Sequence, residues 1–268
     1  MIRTLLTLLG CCLITVNGRS AGDDTAVISA KDIAARLATV QHGSAYVRLV
    51  MQIKSAPGAA GSTLQLQIKQ RRTPEQTDVL YQVLWPKERK CESVLLHQTS
   101  LGAATGFILL PPENLRQLTA GQMSEPLFGS DLSYQDMVED FFAWPIQSLD
   151  GTESINRVNC VILESKPGSG AHSIYEHVRS WIDPRRFVPM RVEKYLLSGK
   201  LARRIDTTRV ANDDNGRPIP ANLAVRAGTN GSQTDLDGSE VRHNVTYSDH
   251  DFSTEGMKNL AAPHLSGP

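Results

Sequence analysis

Charge of one sign is what this chain lacks most plainly. Its 268 residues carry 28 Lys and Arg against 28 Asp and Glu, a formal net charge of zero. That argues against nucleic acid as a partner, because a phosphate backbone selects a basic excess or a basic stripe. Long apolar runs are scarce too. The longest, residues 5–16, falls short of the ~20 residues that cross a bilayer as a helix. Catalytic signatures are also missing. No H-E-x-x-H, cysteine–histidine cluster, G-x-S-x-G or Gly-rich phosphate loop is present. None of the seven histidines pairs at metal-ligand spacing, and His172 and His177, five apart on one strand, point to opposite faces. Glu139 and Asp140 are adjacent acids read as facing outward on a helix, which gives no glycosidase-type pair. The chain is therefore read as non-enzymatic and without a metal or cofactor. An envelope hydrolase whose site is invisible in sequence is the remaining catalytic alternative.

The N-terminus has the layout of an export signal. Arg3 supplies a positive charge, residues 5–16 are mainly apolar, and small residues Gly18, Ser20 and Ala21 precede the first acids, Asp23 and Asp24. Residues 1–21 are read as a signal peptide and 22–268 as a single domain of a periplasmic protein. Leu8-Leu9-Gly10-Cys11 offers a competing reading, a lipobox in which Cys11 would be acylated. Export leaves Cys91 and Cys160. An oxidising compartment permits a disulfide between them, and the alternative is two buried thiols.

After the leader, periodicity changes once and sharply. Ser29 and Asp32 form a capping box ahead of Ile33, Leu37 and Val40, so a helix opens the domain. Past Gly43 the period becomes two. Val47, Leu49 and Met51 alternate with polar or exposed positions, as do Leu64, Leu66 and Ile68, and then Val79, Tyr81 and Val83. This is an antiparallel meander with one apolar and one wet face. Further strands are expected at 91–98, 104–110, 159–165, 173–183, 186–197, 201–210, 221–227 and 240–247. Residues 114–125 read as polar and irregular. Ser133 and Asp136 form a second capping box, starting a helix with Met137, Val138, Phe141 and Phe142 on its apolar side. A short helix is expected at 255–260. About eleven strands and two helices argue for one curved, mainly β, α+β sheet or open barrel.

One stretch carries more information. Phe128-Gly129-Ser130-Asp131-Leu132-Ser133-Tyr134-Gln135-Asp136-Met137 resembles the signature of outer-membrane lipoprotein-sorting proteins of the LolA-like type. Trp181-Ile182-Asp183-Pro184, followed by Pro189-Met190-Arg191-Val192-Glu193-Lys194-Tyr195 and Ser198-Gly199-Lys200, is similar to that family's hairpin pair. The likeness runs from Ile28 to Leu260. Where the family has aromatics before its irregular middle, this chain has the aliphatic run Ile108-Leu109-Leu110. The resemblance implies an eleven-stranded, strongly curved antiparallel half-barrel with helices lidding an apolar cavity, and a carrier of a lipid or lipoprotein acyl chain. Lining from the sheet is expected from Val47, Leu49, Met51, Leu64, Leu66, Ile68, Val79, Tyr81 and Val83, and from the lid from Met137, Phe141 and Phe142. An accessory role beside an inner-membrane exporter of the RND type is the second reading.

Overall fold

The computed structural model describes residues 28–54, 60–99, 102–228 and 231–262. The expected signal peptide, Cys11 and the last six residues lie outside them. Ser29 caps helix α1 (Ala30–Gln41) as expected: its hydroxyl oxygen accepts from the Asp32 amide, and the Asp32 carboxylate accepts from the Ser29 amide. Ile33, Ala34, Leu37 and Ala38 form the buried face, and Val40 falls outside it.

Thirteen antiparallel strands follow in one sheet. The first six are β1 (Gly43–Lys54), β2 (Ser62–Arg72), β3 (Gln76–Trp85), β4 (Ser93–Thr99), β5 (Thr105–Leu110) and β6 (Asn114–Leu118). The other seven are β7 (Ile146–Ile155), β8 (Val158–Lys166), β9 (Tyr175–Asp183), β10 (Val188–Leu196), β11 (Leu201–Asn212), β12 (Pro218–Ala227) and β13 (Gln233–His243). Their spatial order is β6-β5-β4-β3-β2-β1-β13-β12-β11-β10-β9-β8-β7. The chain thus winds outward from β1 to one edge, crosses to the opposite edge, and winds back until β13 pairs with β1, Met51 opposite Leu236. Residues 119–145 make that crossing. They contain a short helix, α2 (Tyr134–Val138), and 3₁₀ turns at Leu127–Gly129 and Phe141–Ala143.

Thirteen strands replace the expected eleven because both edge strands escape the alternation rule. β6 and β7 each have one partner and are exposed along nearly their whole length, so neither needs an apolar face. β13 occupies 233–243 rather than 240–247. Its inward residues include a polar one, Thr234, that is buried because Asp131 satisfies it.

The wet face expected of the first strands is covered. Beyond β13 the chain crosses the outer side of β2 to β5 in two 3₁₀ turns, Asp249–Phe252 and Gly256–Lys258, where one helix at 255–260 was expected. Phe252 and Met257 pack on Leu80, Leu95 and Leu109. The polar residues beneath are paired. Tyr46 donates to Gln67, Gln67 to Gln82, and Gln82 and Ser93 to the Met257 carbonyl. Lys69 Nζ lies 3.5 Å from Asp251. Polar groups buried this way need partners, and the strap supplies them.

The cysteines are both free thiols. Cys91 sits in the turn between β3 and β4. Cys160 is buried in β8 with Ile162, Trp181 and Met190. Strands β2, β1 and β13 to β9 lie between them in the sheet, so the permitted bridge is not formed.

Candidate functional site

The expected sheet residues do converge. Met51, Leu64, Leu66, Val79, Tyr81 and Val83 are buried in one cluster on the inner face, with Leu49 and Ile68 at its margin. Val47 lies in the same row, opposite Ile68. The crossing segment closes over them. Met123, Leu127, Tyr134 and Val138 form its apolar underside, and Met137 is packed at the edge.

The expected lid helix is much shorter. α2 ends at Val138, and Glu139 is already extended (φ −72°, ψ 125°). The break swings Phe141 and Phe142 away from Met137. They join α1, Leu163 and Ile182 in a second cluster. Helical periodicity carried through residue 142 therefore placed two aromatics on the wrong surface. It also turned Glu139 and Asp140 outward, whereas both are buried or nearly so.

Two carboxylates from the resembling run fasten the segment to the sheet. Phe128 (φ 53°) and Gly129 (φ 84°) take left-handed backbone and make the sharp turn that presents Asp131. The Asp131 carboxylate accepts from the Thr234 hydroxyl at 2.8 Å, from Ser232 and from the Ala227 amide. Five residues on, Asp136 closes the second capping box. It accepts from the Ser133 amide at 2.8 Å, while its own amide donates to Ser133 Oγ. Its other oxygen accepts from Lys194 Nζ at 2.8 Å and Tyr175 Oη at 2.7 Å, while Arg203 Nε lies 3.4 Å from the oxygen that the Ser133 amide meets. Burial alone would raise this carboxyl. The Lys194 charge and hydrogen bond, Arg203 and the Ser133 amide outweigh burial and hold it down at about 2. Asp131, Ser133 and Asp136 of this run thus fasten the segment to the sheet and start its helix.

Beside the apolar cluster opens a cleft of about 480 Å³. Its walls come from His42, the β2–β3 hairpin, the end of β4, residues 138–140 with 143–145, and the loop between β8 and β9. None of the twelve expected lining residues borders it. Thr77, Gln98, Thr99, Ser169, His172 and Ser173 give a hydrogen-bonding wall, and Trp144 an aromatic one. Glu139 is 6 % exposed and Asp140 is nearly buried. Gln135 donates to Glu139 Oε1 at 3.3 Å; Oε2 has no hydrogen-bond partner among the described residues. Asp140 Oδ1 has none either, while its Oδ2 lies 3.7 Å from His42 and 3.9 Å from Arg72. Burial pushes the Glu139 carboxyl up to about 6, against the Lys194 charge and the nearby Ser173 hydroxyl. Nothing in the sequence pattern announced this cleft, because its walls come from five separate loops or strand ends.

No helix among the described residues is long and apolar enough to cross a membrane. A family model described as "Uncharacterized protein" matches residues 75–259, more than half of the chain. No curated protein matches the chain in sequence. Among the solved structures that share the fold are three with TM-scores above 0.65. A DUF1329 family protein from Desulfovibrio piger is 22% identical over 85% of this chain and 97% of its own, with a TM-score of 0.76. A domain described as that of an outer membrane lipoprotein-sorting protein from Vibrio parahaemolyticus is 20% identical over 84% and 97%, at 0.74. A LolA superfamily protein from Nitrosomonas europaea is 18% identical over 85% and 99%, at 0.68. The open, curved antiparallel sheet of LolA type expected from residues 128–137 is borne out, with thirteen strands for the expected eleven and without the expected helical lid.

Proposed function

The chain belongs to the family whose model spans residues 75–259 and has the fold of the LolA superfamily, and from that premise we propose that it is a periplasmic carrier which buries an acyl chain of a lipid or lipoprotein, without catalysis. The observation that carries this reading is the crossing segment. The inner apolar face is sealed by irregular chain and one short helix, held at polar points, instead of by a long packed helix. Such a cover can lift and reseat. Displacing Met123, Leu127, Tyr134 and Val138 would cost roughly 2–3 kcal/mol for each side chain. A chain of about 12 carbons entering the same space returns about 0.8 kcal/mol per methylene, a comparable sum, so exchange would be reversible. The sorting role by which the Vibrio parahaemolyticus domain is described agrees with this reading. In it, an inner-membrane exporter hands over the cargo.

Native mass spectrometry of protein purified from a Gram-negative periplasm tests the proposal, together with titration by a fluorescent fatty acid. A co-purifying lipid, or saturable probe binding competed by unlabelled fatty acid, is expected. A folded sheet by circular dichroism that ignores every acyl probe and carries no lipid would overturn it.

A further inference from the structure

We propose that the polar cleft beside the cover is a sugar-binding site, one that takes the hydroxyl-rich head group of a glycolipid whose chain lies under the crossing segment. The inference rests on the carrier reading for the chain, but not for the sugar. Two carboxylate oxygens, Glu139 Oε2 and Asp140 Oδ1, are buried at this cleft with no hydrogen-bond partner among the described residues. Buried acceptors left empty are rare and costly, and their position at a cavity wall points to a ligand that donates. Ionised carboxylates only accept, so a phosphate or carboxylate ligand does not suit them. The local charges already balance. Asp136, Glu139 and Asp140 stand against Lys194, Arg203 and Arg72, so a free cation has no excess of negative charge to answer. A neutral polyol does suit. Each hydroxyl donates to a carboxylate and accepts from its neighbours, and Thr77, Gln98 and Ser173 line the cleft with groups able to do both. Trp144 is half-buried at the same wall, a flat apolar surface for the C–H face of a sugar ring. The cleft's volume of about 480 Å³ is within the range of small-ligand sites. Continuity with the chain site comes from Val138, which borders the cleft and belongs to the inner apolar cluster.

The test is isothermal titration of the whole mature protein with octyl glucoside, octylphosphocholine and free maltose, below the micelle concentrations, on wild type, Glu139→Met and Trp144→Ala. Glu139→Met keeps the side-chain length and removes the acceptors. Trp144→Ala lies at a partly exposed position and guards against misfolding of the first variant. The expected result is about tenfold tighter binding of octyl glucoside than of octylphosphocholine. That preference should vanish in both variants while chain binding persists. Equal affinity for the two octyl compounds, unchanged by either substitution, would overturn the sugar site and leave the carrier reading standing. Maltose binding that is lost in the variants, with no gain from an octyl chain, would support the sugar site and remove the carrier reading. Absence of binding by all three probes would overturn both.

Discussion

Lys194 Nζ lies 2.8 Å from Asp136 Oδ1, and both side chains are almost wholly out of water. The pair joins β10 to the start of α2 and so holds the cover against the far half of the sheet. Removing one partner of a buried pair strands the other charge and typically costs about 3–5 kcal/mol. Asp136→Asn and Lys194→Met should each destabilise by that order in urea unfolding. The double variant Asp136→Asn/Lys194→Met should lose less than the sum, because neither charge is then stranded. Additive losses would show that the pair does not act as a unit.

Glu139 and Asp136, three residues apart, should respond to pH with opposite signs. Asp136 is held at about 2, below its ordinary 3.8. Its contribution is complete above that ordinary value and is lost as pH falls towards 2, about 2 kcal/mol in all. Glu139 is raised from 4.5 to about 6. The folded state then holds the extra proton, so Glu139 costs nothing below pH 4.5 and about 2 kcal/mol above pH 6. Glu139→Gln should therefore raise the melting temperature at pH 7.5 and leave it unchanged at pH 4.5. A gain of equal size at both pH values would count against a buried, proton-linked carboxyl.

Ser133→Ala removes the acceptor for the Asp136 amide and should cost about 1 kcal/mol. Because the loss falls on the cover and not on the sheet, dissociation of a bound fluorescent fatty acid should quicken. Stopped-flow dilution reads the rate and a thermal melt reads the stability. An unchanged melt with an unchanged rate would remove Ser133 from the account of the cover.

The strap behind the sheet should matter as much as its inner core. Phe252 is buried against Leu80, Leu95 and Leu109, with Tyr247 edge-on at 5.2 Å and the Arg71 guanidinium 4.9 Å above its ring. Phe252→Ala should cost about 3 kcal/mol or more by denaturant unfolding. It should also increase amide exchange along β2 and β3, whose glutamines the strap covers.

What the sequence made legible was what is local. The boxes Ser29/Asp32 and Ser133/Asp136 span three residues each, and both are present. The alternation in β1 to β3 placed Met51, Leu64, Leu66, Val79 and Val83 on one face correctly, since a strand's period is fixed. The rest depends on partners far along the chain. Thr234 lies outside every strand expected from the sequence, and its burial depends on Asp131, 103 residues away. Gln67 and Gln82 read as wet until the strap arrives, 175 residues after Gln82. Glu139 was misplaced for a different reason. Trp144-Pro145 reads as the end of that helix, but an amphipathic pattern does not reveal an earlier stop that no Gly or Pro marks, and the helix ends at Val138.

The junction of β1 with β13 has a consequence for how the chain comes together. These strands lie side by side at the middle of the sheet, and Ser239 hydrogen-bonds to the Arg48 carbonyl across 191 residues. Closing a loop of that length is slow and unrewarded until late, so the central seam is among the last pairings a nascent chain can make. Until then β1 and β13 each expose an edge rich in unpaired amides. The two halves remain separate hairpin arrays, and the inner greasy surface stays accessible for longer in the folding protein than it ever is in the finished one.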